Sequence, residues 1–251
     1  MKENMWTLRN SVKCIHLDET DSTNQWLKEH AAEETSEILV VADYQTAGRG
    51  QTGNHWESEY GKNLLYSLLL HPTGIQASQQ FLISMIISLA VCKALQSYTS
   101  GITIKWPNDI YWKDRKICGM LIENRISGQI IKDCIAGIGI NINQRVFHSD
   151  APNPVSLCQI LGKEVSQQHV LDRFLSVYKK LMRYIESCKT DDIRTAYINE
   201  LYRREGYHRY CDDNGSFEAK LVTVSDNGTL HLEDRNGKQR SYAFKEVTFL
   251  T

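Results

Sequence analysis

The apolar residues of this chain predict alternating strands and helices before Gly206. Three short apolar runs predict strands, namely KCIHLDET (13–20), EILVVADY (37–44) and NLLYSLLL (63–70). The segment STNQWLKEHA predicts a helix that opens on a hydroxyl cap at Ser22 or Thr23. Residues 79–97 form a longer apolar run, which predicts a buried helix.

The middle of the chain predicts a further set of paired strands. ITIKWPNDIYW (102–112) is interrupted by Pro107, and residues 115–126 and 129–143 alternate like two strands joined by a Ser-Gly turn at 127–128. Residues 143–158 have the composition of a loop. Helices are predicted at about 167–188 and 191–204.

The pattern changes after Gly206. Short alternating runs are separated by two Asp-Asn-Gly turns and one Arg-Asn-Gly turn, and Asn-Gly between such runs is a strong hairpin signal. We expect a small β-barrel-like unit over 206–251 that packs against a larger unit over 1–205. The predicted fold class is therefore α+β.

Composition excludes several classes of protein. Lys and Arg number 29 against 30 Asp and Glu, and no basic stripe is present, so nucleic-acid binding is not expected. The seven cysteines include no C-x-x-C pair, which favours reduced thiols in the cytoplasm over disulfides or zinc. The run 81–95 contains Ser84, Ser88 and Lys93 and is too short to span a bilayer. We expect neither a membrane partner nor a protein-held metal.

A glycine-rich stretch, ADYQTAGRGQTGNHW (42–56), is the first candidate for chemistry, because glycines let the backbone approach a phosphate. Gly48 and Gly53 have the spacing of a P-loop, but the lysine and hydroxyl that should follow are absent. GIGINI (137–142) has Ile142 where a dinucleotide fingerprint needs glycine. A mobile surface loop is an equally good explanation of 48–53 taken alone.

Three other segments carry polar groups that suit an anionic or polar ligand. Lys105 lies between Ile104 and Trp106, where an ammonium is poorly screened, although a lysine with a packed stem and a solvated head fits as well. DETDSTN (18–24) places hydroxyls at a helix start, where simple capping is the commoner role. Asn141 follows the glycines of AGIGININ, a pattern that also suits a closely packed strand.

The chain resembles the biotin protein ligase family through five motifs taken together and in this order. They are TDSTN, QTAGRG with the later Trp56, KWPNDI, KICGMLIE and GIGININ. The motifs cover about residues 15–160. The resemblance implies a catalytic domain like those of biotin ligases and class II synthetases, followed by an SH3-like barrel. It also implies that biotin and ATP form biotinyl-5′-adenylate, with Mg²⁺ on the phosphates. The biotinyl group then passes to a lysine of a biotin carboxyl carrier domain.

The resemblance also implies roles for individual residues. Lys105 and Arg49 are the catalytic candidates that offset charge in the transition state. The biotin contacts would be Ser22, Thr23, Gln45, Gly48, Arg49, Gly119, Gly137 and Gly139, the last three keeping a slot open for the apolar part of biotin. The ATP and adenylate contacts would be Gly50, Gln51, Trp56, Lys105, Asn108 and Asn141. Segments 45–56 and 143–155 would close over the adenylate and exclude water.

The chain departs from the family pattern in three places. Gln51 and Asn54 replace basic residues of the glycine loop, so retention of the adenylate is expected to differ. Near the C-terminus, Lys245 is the nearest cation where some relatives have an arginine. The motifs begin by residue 18, so we expect neither an N-terminal DNA-binding domain nor DNA binding.

Two alternatives remain open at this point. A lipoate or octanoate ligase shares the expected fold but needs no contacts to a ureido ring. A non-catalytic biotin-binding module would have no use for a lysine that faces phosphate. The pattern does not choose between a monomer and a homodimer.

Overall fold

The computed structural model describes residues 12–51, 53–149, 153–187 and 189–250. Its strands are β1 (Lys13–Thr20), β2 (Ile38–Gln45), β3 (Leu64–Leu70), β4 (Ile102–Lys105), β5 (Asp109–Trp112), β6 (Arg115–Ser127), β7 (Ile130–Ile140), β8 (His208–Asp212), β9 (Gly215–Val224), β10 (Leu230–Asp234), β11 (Gln239–Tyr242) and β12 (Thr248–Phe249). Its helices are α1 (Thr23–His30), α2 (Phe81–Gln96), α3 (Leu157–Leu161), α4 (Gln167–Glu186) and α5 (Thr190–Asn199), with a 3₁₀ turn at Ala77–Gln79.

A seven-stranded mixed sheet forms the larger unit, in the order β1-β2-β3-β7-β6-β5-β4. Only β1 and β2 pair in parallel, and the remaining neighbours are antiparallel. Side chains of β2 alternate between the two faces: Leu39 and Val41 join the core that contains α2, α4 and α5, whereas Ile38 and Val40 join a smaller core under α1. Helices therefore cover both faces of the sheet.

Helix α2 is the central helix of the main core. Its apolar residues point in all directions around the axis, which is typical of a helix surrounded by protein. The helical stretch Ala77–Gln96 is long and apolar enough for a membrane span, but 72% of its most apolar window is buried inside the protein. The sequence prediction of a buried helix is confirmed.

The C-terminal residues form a five-stranded antiparallel sheet in the order β11-β10-β9-β8-β12. Its core residues belong to the same buried cluster as those of the large sheet. Trp106 Nε1 donates to the Gly228 carbonyl at 2.9 Å, and Arg194 forms an ion pair with Asp226 at 2.6 Å. The expected packing of this unit against the main body is confirmed.

Local structure differs from the sequence prediction at three points. Within the predicted loop 143–158, Ser156 and Gln159 form a capping box that starts α3. Helix α5 ends at Asn199 and not at residue 204, because Ile104 of β4 exchanges backbone hydrogen bonds with residues 200 and 202 at 2.8 Å. Ser22 precedes α1, but its side chain makes no capping hydrogen bond.

Candidate active site

A cavity of about 430 Å³ lies where the glycine loop, the start of α1 and the β4–β5 turn meet. Strands β6 and β7 contribute to its wall, as do residues of 245–249 from the C-terminal unit. Most of the residues singled out in the sequence line it, namely Ser22, Thr23, Gln45, Arg49, Gly50, Gln51, Trp56, Lys105, Asn108, Gly119, Gly137 and Gly139. The glycine loop and Lys105 therefore face one common space.

The end of the cavity near α1 is a connected hydrogen-bond network. The backbone N–H of Thr23 donates to Gln45 Oε1 at 2.8 Å, and the Thr23 hydroxyl lies 3.1 Å from the same oxygen. Behind Thr23, the fully buried Ser67 hydroxyl lies 2.6 Å from both Thr23 Oγ1 and Asn24 Oδ1. Ser67 is the one small polar residue in the buried strand LLYSLLL, and that was the available sequence signal for it.

The direction of these hydrogen bonds follows from Asn24. Its Nδ2 donates to the Leu121 carbonyl at 3.2 Å and to Glu123 Oε2 at 2.8 Å, so its Oδ1 must accept the proton of Ser67. The Thr23 proton then goes to Ser67 or to Gln45. Either way, a lone pair of the Thr23 oxygen is left for a ligand, and the amide group of Gln45 is left as a donor.

Three lysines line the cavity, namely Lys105, Lys116 and Lys245. Lys105 Nζ donates to the Tyr111 hydroxyl at 3.0 Å and lies 4.6 Å from the centre of the Tyr111 ring and 5.4 Å from that of Phe249. Burial of this ammonium lowers the pKa of Lys105. Lys116 Nζ forms an ion pair with Asp109 at 2.8 Å and lies 5.8 Å from the Trp56 ring.

Sequence reasoning did not single out Lys116. It lies in the motif KICGMLIE, three residues before Gly119, and that proximity was the available signal. A Cβ placed on Gly119 would be 3.3 Å from Lys116 Cε, so the two residues face the same part of the cavity. Asn24, Asp109, His55, Lys245 and Phe249 also line the cavity without having been assigned a role.

The glycine loop is a tight hairpin and not an open cradle. Arg49 and His55 pair as an antiparallel bridge, and Trp56 N–H donates to the Gly48 carbonyl at 2.9 Å. Gly48 does not line the cavity; it is buried, and a Cβ there would lie 2.7 Å from the Trp56 carbonyl oxygen. The close approach of the two arms of the hairpin accounts for this glycine. Arg49 donates to Gln25 Oε1 at 3.1 Å.

The strand glycines make room for side chains of the protein itself. A Cβ on Gly139 would lie 2.6 Å from Trp56 Nε1, and a Cβ on Gly119 would lie 2.8 Å from Trp56 Cζ3. A Cβ on Gly137 would lie 2.8 Å from Asn24 Cγ. The space expected to be an open slot thus holds Trp56 and Asn24. Trp56 Nε1 is buried there without a hydrogen-bond partner.

Asn141 does not line the cavity, in contrast to the contact with adenine that the resemblance suggested. Its side chain is 3% exposed, and its Nδ2 donates to the Val155 carbonyl at 3.2 Å. The reason is that β7 ends at Ile140, and Asn141 then serves to fix the following chain against the strand. Part of the expected closing segment, residues 150–152, lies outside the described residues.

Two groups of carboxylates among the residues that the structure describes could hold a metal. Asp109 is the one acidic residue among the described residues that line the cavity, so it is the available ligand for a cation carried in with phosphates. Separately, ligand atoms of His16, Asp18 and Asp43 lie within 4.8 Å of one another, and none of these residues lines the cavity.

Comparison with known proteins gives a consistent result. The model of the Biotin/lipoate A/B protein ligase family matches residues 17–141. The chain is 31% identical over 238 residues to the bifunctional ligase/repressor BirA of Bacillus spizizenii, covering 91% of this chain and 72% of that protein. It is 28% identical over 239 residues to the biotin–[acetyl-CoA-carboxylase] ligase of Paracoccus denitrificans, covering 89% and 95%.

Solved structures agree with these relatives. The biotin protein ligase from Aquifex aeolicus in complex with biotin and ATP matches with a TM-score of 0.77 and 27% identity, covering 94% of this chain and 97% of that one. The chain belongs to the biotin protein ligase family.

Proposed function

We propose that this chain ligates biotin to a carrier protein in two steps, both at the cavity described above. In the first step, a biotin carboxylate oxygen forms a bond to the α-phosphorus of ATP, and the bond to the β-phosphate oxygen breaks. Pyrophosphate leaves, and biotinyl-5′-AMP remains. In the second step, a lysine amine of the carrier domain attacks the acyl carbon and AMP leaves. The observation that carries the proposal is one cavity with a neutral polar end and a cationic end.

The neutral end suits the ureido ring of biotin. A ring N–H can donate to the Thr23 oxygen, and the ring carbonyl can accept from the amide of Gln45. Both groups are held by protein hydrogen bonds before any ligand binds. Ser22 lines the same end and is nearly buried, which makes it a further candidate contact. Preorganised polar groups of this kind fix the orientation of a ligand.

The cationic end suits the reacting groups. A carboxylate and a triphosphate repel each other, and the ammonium groups of Lys116 and Lys105 together with Arg49 offset that repulsion in the transition state. Each ammonium already has a partner, Tyr111 for Lys105 and Asp109 for Lys116, and we assign the principal role to Lys116 because it lies beside Gly119 and Trp56. Mg²⁺ bound to the phosphates would supply further positive charge, and Asp109 is the residue that could hold it.

The lipoate or octanoate alternative fits less well. Those acyl chains have no N–H or C=O group at their far end. They would cover the Thr23 oxygen and the Gln45 amide without satisfying them, and burial of an unpaired polar group costs about 1–3 kcal/mol. A site built around hydrogen bonds discriminates strongly against ligands that lack them.

Family membership implies a carrier-protein substrate, and we propose a biotin carboxyl carrier domain of a cytoplasmic biotin-dependent carboxylase. A decisive experiment measures biotin-dependent exchange of labelled pyrophosphate into ATP, with lipoate and octanoate as parallel substrates. Transfer of labelled biotin to a carrier domain is then measured separately. Exchange with lipoate equal to that with biotin would contradict the assignment. Biotin binding without exchange would point to a non-catalytic binding module.

A further inference from the structure

Strands β3 and β7 are neighbours, and the chain beyond their paired ends stays together. Leu64 begins β3 opposite Ile140, which ends β7. The segment 57–63 leads from the glycine hairpin into β3, and the segment 141–149 leads out of β7. Contacts between these two segments therefore hold the hairpin relative to a strand that forms part of the cavity wall.

Two buried amide side chains join the segments. Asn63 is 0% exposed and Gln144 is 2% exposed. Asn63 Oδ1 accepts from the backbone N–H of Ile142 at 3.1 Å, which leaves its Nδ2 to donate to Gln144 Oε1. Gln144 Oε1 also accepts from the backbone N–H of Glu59 at 3.1 Å, so its Nε2 must be a donor. A backbone N–H group thus fixes the orientation of each amide.

The Gln144 amide extends this network to the carboxylate of Glu57. Gln144 Nε2 donates to Glu57 Oε1 at 3.1 Å. The same oxygen accepts from the backbone N–H of His148 at 2.9 Å, and the other oxygen accepts from the backbone N–H of Ser149 at 2.7 Å. Burial alone would raise the pKa of Glu57, but hydrogen bonds from Ser149 and His148 lower it. Glu57 is therefore ionised at neutral pH, and an ionised acceptor forms stronger hydrogen bonds than a neutral one.

Glu57 directly follows Trp56, and this adjacency connects the network to the active site. The Trp56 indole lies over Gly119 and Gly139 and lines the cavity. Within the exposed hairpin, the Trp56 N–H donates to the Gly48 carbonyl at 2.9 Å. On the C-terminal side of the indole, the carboxylate of Glu57 ties the chain to the segment that follows β7.

We propose that Glu57 is a positioning residue for Trp56. Its carboxylate ties the backbone next to the indole to residues 144–149, and thereby limits how far the indole moves from the strand glycines. Loss of this tie should weaken ATP more than biotin, because the ureido ring of biotin meets Thr23 and Gln45 at the other end of the cavity. The tie itself is independent of the proposed function, whereas the effect on ATP rests on it.

The contacts are tested with Glu57→Ala and, as the matched control, Glu59→Ala. Glu59 has an exposed side chain of the same charge, and it joins the network through its backbone N–H, which the substitution retains. Hydrogen exchange of the His148 and Ser149 amides should be about 10-fold faster in Glu57→Ala and unchanged in Glu59→Ala, because their bonds to the carboxylate no longer oppose local opening. Thermal melting confirms that both variants are folded. Equal exchange in Glu57→Ala and wild type would overturn the contacts.

The position of the indole is followed by ¹⁹F spectra of protein labelled with 5-fluorotryptophan. The chain has five tryptophans, and the resonance of Trp56 is identified by its loss in Trp56→Phe. Glu57→Ala should shift or broaden this resonance and leave those of Trp26 and Trp112 unchanged. A Trp56 resonance that stays the same would overturn the positioning role, even where the amides of His148 and Ser149 exchange faster.

The effect on the reaction is measured by pyrophosphate exchange and biotin titration. In Glu57→Ala the Michaelis constant for ATP should rise by roughly 3-fold, while biotin affinity stays within about 2-fold of wild type. Glu57→Gln retains one acceptor oxygen and should lie between the two proteins. Equal losses for ATP and biotin would refute the positioning role. A wild-type protein without biotin-dependent exchange, whose Trp56 resonance still responds to Glu57→Ala, would refute the proposed function and leave the tie standing.

Discussion

The two ends of the active-site cavity are built in different ways. Around Thr23 and Gln45, side chains are held by a hydrogen-bond network that reaches Ser67 and Glu123. At the other end, an exposed hairpin carries Arg49 and Gln51, and Trp56 Nε1 has no partner.

This difference indicates which end must change when ligands bind. The interlinked side chains around Thr23 lose several hydrogen bonds if they move, whereas an exposed loop with an unpaired indole nitrogen loses few. The ureido ring of biotin would meet a preformed surface. The phosphates and the adenylate would bind where the glycine loop rearranges around them.

The largest expected effect is at the cationic end. Lys116→Ala should lower the rate of adenylate formation by about 10²–10³-fold while biotin binding changes little, because the ammonium acts mainly on charge in the transition state. Pyrophosphate exchange and biotin titration measure the two quantities. Lys113→Ala removes an exposed lysine that does not line the cavity and serves as the control. If Lys105→Ala were far more damaging than Lys116→Ala, our ranking of the two lysines would be wrong.

A substitution at Gly139 of β7 tests whether Trp56 occupies the space above the strand glycines Gly119 and Gly139. Gly139→Ala adds a carbon 2.6 Å from Trp56 Nε1, so the indole must move, at a cost of about 1–3 kcal/mol. We expect a changed tryptophan fluorescence and weaker ATP binding. The double variant with Trp56→Ala should recover stability, as measured by urea unfolding. A Gly139→Ala protein with wild-type fluorescence would contradict the described position of Trp56.

The end of the cavity around Thr23 and Gln45 is tested by removal of the Ser67 hydroxyl. Ser67→Ala leaves Asn24 Oδ1 without its donor and should weaken biotin binding by roughly 10-fold, which corresponds to about 1–2 kcal/mol. The Michaelis constant for ATP should stay the same, because the phosphates bind elsewhere. Ser67→Cys retains a weak donor and should lie between the two proteins. Equal losses for biotin and ATP would indicate a general folding defect and not a role in positioning.

The glycine loop is less basic than the family pattern, and the missing charge can be restored. Gln51 lines the cavity, and Gln51→Arg should slow release of the adenylate by about 2- to 5-fold, a size typical of one exposed ion pair. Stopped-flow fluorescence after dilution measures the release rate. Gln51→Leu is the control, because it changes the side chain at this position without adding a charge. An unchanged or faster release rate from Gln51→Arg would refute the electrostatic explanation.

The smallest effect concerns the pH dependence of stability. Burial alone would raise the pKa of Glu123, but hydrogen bonds from Lys28 and Asn24 lower it below 4.5. A carboxylate whose pKa is lowered by folding stabilises the protein above about pH 4.5, and that contribution is lost as the pH falls through the folded-state pKa. Glu123→Gln should therefore lower the free energy of unfolding at pH 7 and differ less from wild type at about pH 3. Glu205→Gln, at an exposed site that does not line the active-site cavity, is the matched control at both pH values.

The sequence by itself determined the order of strands and helices, the hairpins at Asn-Gly, and the family through its motifs. These features depend on local periodicity, turn chemistry and short spacing, all of which are readable along one chain. What only the tertiary structure decided is which polar groups meet. Ser67 lies 44 positions from Thr23, and Glu123 lies 99 positions from Asn24. Lys116 lines the cavity and Asn141 does not, because whether a residue faces a cavity depends on where strands end and how neighbours pack. Local sequence does not encode that three-dimensional register.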